Sequence, residues 1–259
     1  MFSFLKKKRF LLPLSTEKNF HGELDRFNTM LQSGENFALV RFGDGEMTVI
    51  NGDPIDLSKK CNGEHRYIPG EAKHEEQRER LKYSLRYQAA NYYVGIACPC
   101  CVGEQQFLNL KRQAMQPETH LTWANIFVNS NFERFRSLVV PALARRKVVL
   151  VCHRKGRPAG LPFTVVRHFG VGPNAWLNDY DSCLNELTCF IRQENIANHV
   201  FLFSAGVLSN ILICELHQHF PNNTYLDIGS VFDVELGLGM TRRYLKNSRK
   251  QLSKTCVWI

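Results

Sequence analysis

The apolar positions of this chain change period along its length, and each change marks an element. Phe20, Leu24, Phe27 and Leu31 recur at helical spacing and predict a helix over residues 17–33, stopped by Gly34, where a left-handed residue is commonly needed. The run FALVRF predicts a strand. After a Gly/Asp-rich break, 71–90 reads as a charged helix, YYVGIA as a strand, 103–116 as a helix, 131–145 as a helix interrupted by Pro141, and KVVLVC as a buried strand. The second half keeps alternating, with a strand near 164–171, a helix over 177–195, strand HVFLF, a helix over 206–220 and strand TYLDIG. This predicts one α/β domain, a Rossmann-like and mainly parallel sheet with helices on both faces.

Composition narrows the class. At 259 residues with 44% hydrophobic and 22% charged content, the chain can bury a full core, and disorder, collagen and coiled coil lose their warrant. The formal charge of +9 hints at nucleic acid until it is located. Residues 1–10 hold Lys6, Lys7, Lys8 and Arg9, residues 241–259 hold Arg242, Arg243, Lys246, Arg249, Lys250 and Lys254, and neither stretch has an acid. The intervening body is therefore nearly neutral, which argues against a nucleic-acid-binding face. The division expected is a basic apolar segment over 1–16, the α/β domain over 17–240 and a basic tail over 241–259.

The opening MFSFLKKKRFLLPL is too short in its apolar runs for a signal peptide or a membrane span. It reads either as a solvated terminus or, with a tail ending Val257-Trp258-Ile259, as a peripheral anchor on an anionic membrane. Nine cysteines, several inside apolar runs, point to a reducing cytoplasm. Cys98, Cys100 and Cys101 form a C-P-C-C cluster that would suit zinc beside a second Cys or His pair, but no CxxC or HxxxH follows it.

Ligands of such sheets bind at the carboxyl ends of the strands, so the junctions there carry the candidate chemistry. The first is Arg41-Phe42-Gly43-Asp44-Gly45-Glu46. Gly43 and Gly45 let the backbone turn, Arg41 suits a phosphate, and the hard oxygens of Asp44 and Glu46 suit Mg2+ or Mn2+. The alternative is a helix cap formed by Asp44. The second is Phe203-Ser204-Ala205-Gly206, whose amides at a helix N-terminus favour an anion, although any close-packed β-α unit needs small residues there. The third, Asp227-Ile228-Gly229-Ser230-Val231-Phe232-Asp233-Val234-Glu235, offers Asp227, Asp233 and Glu235 as bases or as ordinary caps.

Taken in order, ALVRFGDGE, LTWANIFV, GPNAWLNDYD, FSAGVLSN and YLDIGSVFDVE resemble the bacterial GT-D-type glycosyltransferases, a family first defined as a domain of unknown function, over about residues 36–236. The resemblance implies a Rossmann-like sandwich in which Asp44 and Glu46 hold Mn2+ or Mg2+ against the diphosphate of a nucleotide sugar. It implies transfer of a sugar, from a donor such as a UDP-hexose, to a saccharide or lipid-linked acceptor in surface polysaccharide or glycoprotein glycan synthesis. Arg41 and the basic loop Arg154-Lys155-Gly156-Arg157 are then expected on the phosphates, with Gly206 beside them. Trp123 and Asn125 are expected in the base or sugar pocket, or else as a buried Trp and a turn Asn. Of Asp233 and Glu235, one is expected to be the base or to position the acceptor. Two departures stand out. This chain has CHRKGRPAGLPF where the family has an acidic-glycine phrase and Gly-Asn-Asp-Leu-Phe, and Asp227-Ile228-Gly229-Ser230 where it has Asp-Ile-Gly-His. The rival readings are a metal-dependent phosphohydrolase or phosphotransferase, and a membrane- or nucleic-acid-binding adaptor.

Overall fold

Strand side chains point alternately to opposite faces, and here both sets are apolar. In Ala38–Phe42 (β1), Ala38, Val40 and Phe42 join one buried cluster and Leu39 joins the other. The same split divides Val149 and Val151 from Val148, Leu150 and Cys152 in Val148–His153 (β4). It divides Phe201 and Phe203 from Val200 and Leu202 in Val200–Ser204 (β6). A strand buried on both sides must be covered on both sides, as in parallel sheets.

In the computed structural model, which describes residues 18–59 and 65–259, these strands form one seven-stranded sheet with Tyr92–Ile96 (β2), Leu121–Trp123 (β3), Val165–Val171 (β5) and Thr224–Asp227 (β7). The order is β3-β2-β1-β7-β6-β4-β5, and every neighbouring pair is parallel. The Rossmann-like α/β sandwich expected from the sequence is therefore the fold. The first strand lies in the interior of the sheet, and its seam with the last consists of Ala38 against Tyr225 and Leu39 against Leu226.

Helix Phe20–Ser33 (α1) lays Leu24, Phe27 and Leu31 on one face of the sheet, together with a helical run from Phe132 to Leu143. Gly34 ends α1 in the left-handed conformation at φ 82°, as its position predicted. Pro141 has no N–H to donate along that second run, which widens into a π-turn at Phe135–Val139 just before it. The other face takes Ala72–Arg86 (α3), Glu104–Ala114 (α4), Tyr180–Gln193 (α5) and Val207–His219 (α6), through Leu81, Phe107, Leu187 and Ile211 among others. Each such side chain contributes roughly 1.5–3 kcal/mol of burial. One helix, Asp44–Asn51 (α2), falls where the sequence read a break.

The expected basic tail is not a tail. Residues 241–259 fold back over the domain, burying Tyr244, Leu245, Cys256 and Trp258. Trp258 is 2% exposed, its ring 5.0 Å from that of Trp123 and 5.1 Å from that of Phe107, and its indole N–H donates to Glu118. A side chain packed in the core cannot anchor a membrane, so that role for Trp258 is withdrawn. The basic segment over 1–16 lies outside the described residues. Among those described, no helix is long and apolar enough to cross a membrane.

Near the end of α6, His217 is buried between Asn91 Oδ1, 3.0 Å from its Nε2, and the Tyr87 hydroxyl, 3.4 Å from its Nδ1. Burial lowers its pKa to about 4. Between an ordinary 6.5 and that value the unfolded chain holds a proton the folded chain refuses, so stability is complete above pH 6.5 and falls as pH drops toward 4. The linkage amounts to roughly 3 kcal/mol. Urea unfolding at several pH values is expected to give a flatter acid limb for His217→Gln than for the native chain; parallel limbs would exclude His217 as its source.

Candidate active site

β1 lies where the sheet's winding reverses, with β2 on one side and β7 on the other. The carboxyl ends at that switch point open into a cleft of about 910 Å3. All three junctions from the sequence reach it. Arg41, Gly43, Asp44 and Glu46 come from the first, Ser204, Ala205 and Gly206 from the second, and Asp227, Gly229, Ser230 and Asp233 from the third.

Gly43, and not Asp44, caps α2. Glu46 reaches back so that its Oε2 accepts the Gly43 N–H at 2.9 Å, leaving Asp44 exposed on the first turn, its Oδ1 accepting the Gly45 N–H at 3.1 Å. Burial of the carboxyl, followed by the nearby charges of Asp227 and Asp44, pushes Glu46 up to about 7. Three acids thus crowd one end of the cleft.

Arg41 answers the deepest of them. Its Nη2 lies 3.2 Å from Asp227 Oδ1, and its Nη1 donates to the Ala124 carbonyl at 2.9 Å. Asp227 also accepts the Gly229 N–H at 2.9 Å; burial raises its pKa while Arg41 pulls the other way. Gly229 is obligatory here, because its φ is +52° and a Cβ would stand 2.3 Å from Arg41 Nη2. Arg41 lines the cleft, yet much of its guanidinium is committed to joining β1, β3's following loop and β7.

Gly206 caps α6 with φ 56°, and it and Val207 line the cleft at the start of that helix. Asn210 Nδ2 ties the same helix to the Arg41 carbonyl at 2.9 Å. Gly45 does not line the cleft; a Cβ there would lie 3.0 Å from His65 Cε1, so it makes room for a buried His65 that does. Asp233 is buried on the cleft wall and its Oδ2 accepts from the Thr241 hydroxyl.

Besides Gly45, four further expectations fail geometrically. Trp123 is 1% exposed and packs against Phe20 and Trp258, with its N–H on the Val257 carbonyl at 3.1 Å, so it lines no sugar pocket. Arg154 pairs with Asp179 at 3.3 Å and lines a separate small pocket. Lys155 is exposed outside the cleft. Glu235 turns away to an ion pair with Arg136, which removes it as a base at this site. Asn125 does reach the cleft, where its amide faces cysteine sulfurs.

The sequence does not reveal His65, His153 and Trp176, which line the cleft, nor the cations that line it with the acids. Arg242, Arg243 and Tyr244, read as tail, line the cleft, and Tyr244 bonds Ser230 at 2.7 Å between hydroxyl oxygens. The charge expected from Arg154 and Lys155 is supplied at the cleft by residues almost ninety positions later.

No protein-family model matches the chain, and no curated protein matches it. Solved structures do. A selenomethionine-substituted structure of domain of unknown function 1792 aligns over 83% of this chain and 79% of its own, at 15% identity and a TM-score of 0.52. The chain shares that fold. A second structure of domain 1792, described as having a distinct glycosyltransferase fold, aligns over the same shares at 15% identity and a TM-score of 0.50.

Proposed function

We propose that the protein is a metal-dependent glycosyltransferase that moves a sugar from a nucleoside-diphosphate sugar to a saccharide hydroxyl. The observation that carries this is the gathering, in one cleft at the switch point of a glycosyltransferase-like fold, of acids from α2 and β7 with the cations Arg242 and Arg243. The motif resemblance over residues 36–236 supports a UDP-hexose donor and an acceptor, free or lipid-linked, in surface polysaccharide or glycoprotein glycan synthesis.

The donor set fits a hard divalent cation. Asp44 and Glu46 each bring a carboxylate to the cleft, and the burial and neighbouring charges of Asp227 and Asp44 that raise Glu46 are what a bound cation would offset. Bound there, Mn2+ or Mg2+ supplies Lewis-acid neutralisation of the departing diphosphate. The chain's own groups do the rest. Arg242, Arg243 and the start of α6 hold the phosphates, and Arg41 orients Asp227 through their ion pair. Asp233, steadied by the Thr241 hydroxyl, takes the proton of the acceptor hydroxyl.

The test is a panel of nucleotide sugars with and without Mn2+, read by released nucleoside diphosphate and by inorganic phosphate. Metal-dependent release of nucleoside diphosphate supports transfer chemistry; release of inorganic phosphate instead makes the protein a phosphohydrolase, and neither product overturns an enzymatic role. With an active donor in hand, Arg242→Ala/Arg243→Ala is expected to raise its KM roughly tenfold or more, since each lost charge-assisted contact is worth about 1.5–3 kcal/mol. An unchanged KM would remove both arginines from the phosphate site.

A further inference from the structure

No second pair of ligands follows the C-P-C-C cluster in sequence. Folding supplies one residue from the far end of the chain. Cys98, Cys100 and Cys101 meet Cys256, and all four Sγ atoms lie within 4.8 Å of one another. Among the described residues this is the only group of three or more His, Cys, Asp or Glu with metal-holding proximity, and none of its members is in a disulfide.

We propose that these four cysteines bind one zinc ion, and that the ion fastens the C-terminal segment to the short helical turn Pro99–Val102 after β2. The spacing suits a single ion once the sulfurs settle around it: all four lie within 4.8 Å of one another, with Cys98 and Cys100 at 2.9 Å. A tetrahedron with Zn–S bonds of about 2.3 Å has sulfur–sulfur edges of about 3.8 Å. An iron–sulfur cluster, with several irons between its ligands, needs sulfurs farther apart than this group allows. Soft thiolates in a tetrahedral set choose zinc over the hard cations expected at Asp44 and Glu46.

The surroundings suit thiolates. Lys254 Nζ lies 3.0 Å from Cys101 Sγ, Asn125 Nδ2 lies 3.2 Å from the same sulfur, and Asn129 Nδ2 lies 3.3 Å from Cys256 Sγ. A neutral thiol is a weak acceptor, whereas metal-bound thiolates are commonly held by such donors. A zinc ion with four thiolates carries two negative charges, which Lys254 offsets in part. Binding releases the thiol protons to solvent, so affinity falls in acid.

All four positions are filled by protein, which marks a structural site and not a catalytic one. Its mechanical role follows from the chain path. Three ligands sit after β2, and the fourth belongs to the segment that carries Arg242, Arg243 and Tyr244 along the cleft and then Trp258 into the core. Ser130 N donates to the Lys254 carbonyl at 2.9 Å, a further tie beside the proposed ion.

The experiment uses the full chain, isolated under reducing conditions and supplied with zinc, with metal content measured by mass spectrometry. About one tightly held zinc per chain is expected, and replacement by Co2+ should give the intense sulfur-to-cobalt absorption of a tetrahedral thiolate site. Cys256→Ser should lose the zinc and that band, while Cys189→Ser, altered on the exposed side of α5, keeps both. If Cys256→Ser does not fold, the native chain still decides, because chelation must expose four more reactive thiols and open the segment near Lys250 to trypsin. Zinc-free native protein with all four thiols reactive, a disulfide among the four, or a cobalt spectrum without the sulfur band overturns the proposal. None of these readouts depends on glycosyl transfer, so the two readings fail separately.

Discussion

Replacing Asp44 or Glu46 with alanine is expected to lower turnover of the nucleotide-sugar donor by roughly a hundredfold or more, the loss typical when one group stabilising transition-state charge is removed. Stability should hardly move. Asp44 is exposed, and Glu46 makes one capping contact to the Gly43 N–H, worth about 1 kcal/mol. The fall should therefore appear in kcat and in the Mn2+ concentration needed for half activity, with the thermal midpoint nearly constant. Full turnover by either variant at saturating Mn2+ would remove that residue from the metal site. A collapse of the thermal midpoint would instead make the residue a structural cap.

The second large effect is on stability. Trp258→Ala removes a fully enclosed indole from between Trp123 and Phe107 together with its bond to Glu118, and should destabilise the protein by about 3–5 kcal/mol. For a chain of this size that is a drop of roughly 10 °C in Tm. Sedimentation with anionic vesicles is the companion measurement. A Tm unchanged from the native chain, with vesicle binding lost, would restore the membrane role that burial has removed.

The alternation of long apolar runs made most of the sheet and its larger helices legible, because both faces of a parallel sheet are written into every second residue. Several short elements escaped, among them these two. The helix Asp44–Asn51 hid behind glycines, since its cap is a backbone arrangement completed by Glu46 and not a capping side chain. The strand Leu121–Trp123 is three residues long and too short to display a period. At the site, residues directly at strand ends could be placed, because the end of a parallel strand has a fixed relation to the cleft. Residues farther along a loop could not: Asp233 faces the cleft while Glu235, two positions on, pairs with Arg136. The basic stretch 241–259 was misread because its cations are conspicuous in sequence, while the positions that fix its path, Tyr244, Leu245, Cys256 and Trp258, follow no helical or strand period. Cys256 was invisible as a partner for Cys98 for the same reason, as contact across the fold leaves no local spacing to read.

The seam between β1 and β7 bears on how the molecule is made. Ala38 leaves the ribosome early but finds Tyr225 only when the chain is almost finished, and until then one edge of β1 presents unpaired amides and carbonyls. Arg41 waits equally long for Asp227. Synthesis therefore carries an extended interval in which a growing chain holds an open, apolar strand edge, a state that favours slow folding and association with other strands. A chaperone that shields this edge during translation should raise the soluble yield more than any change to the cleft, and a chain stopped before residue 224 should be recovered chiefly as aggregate.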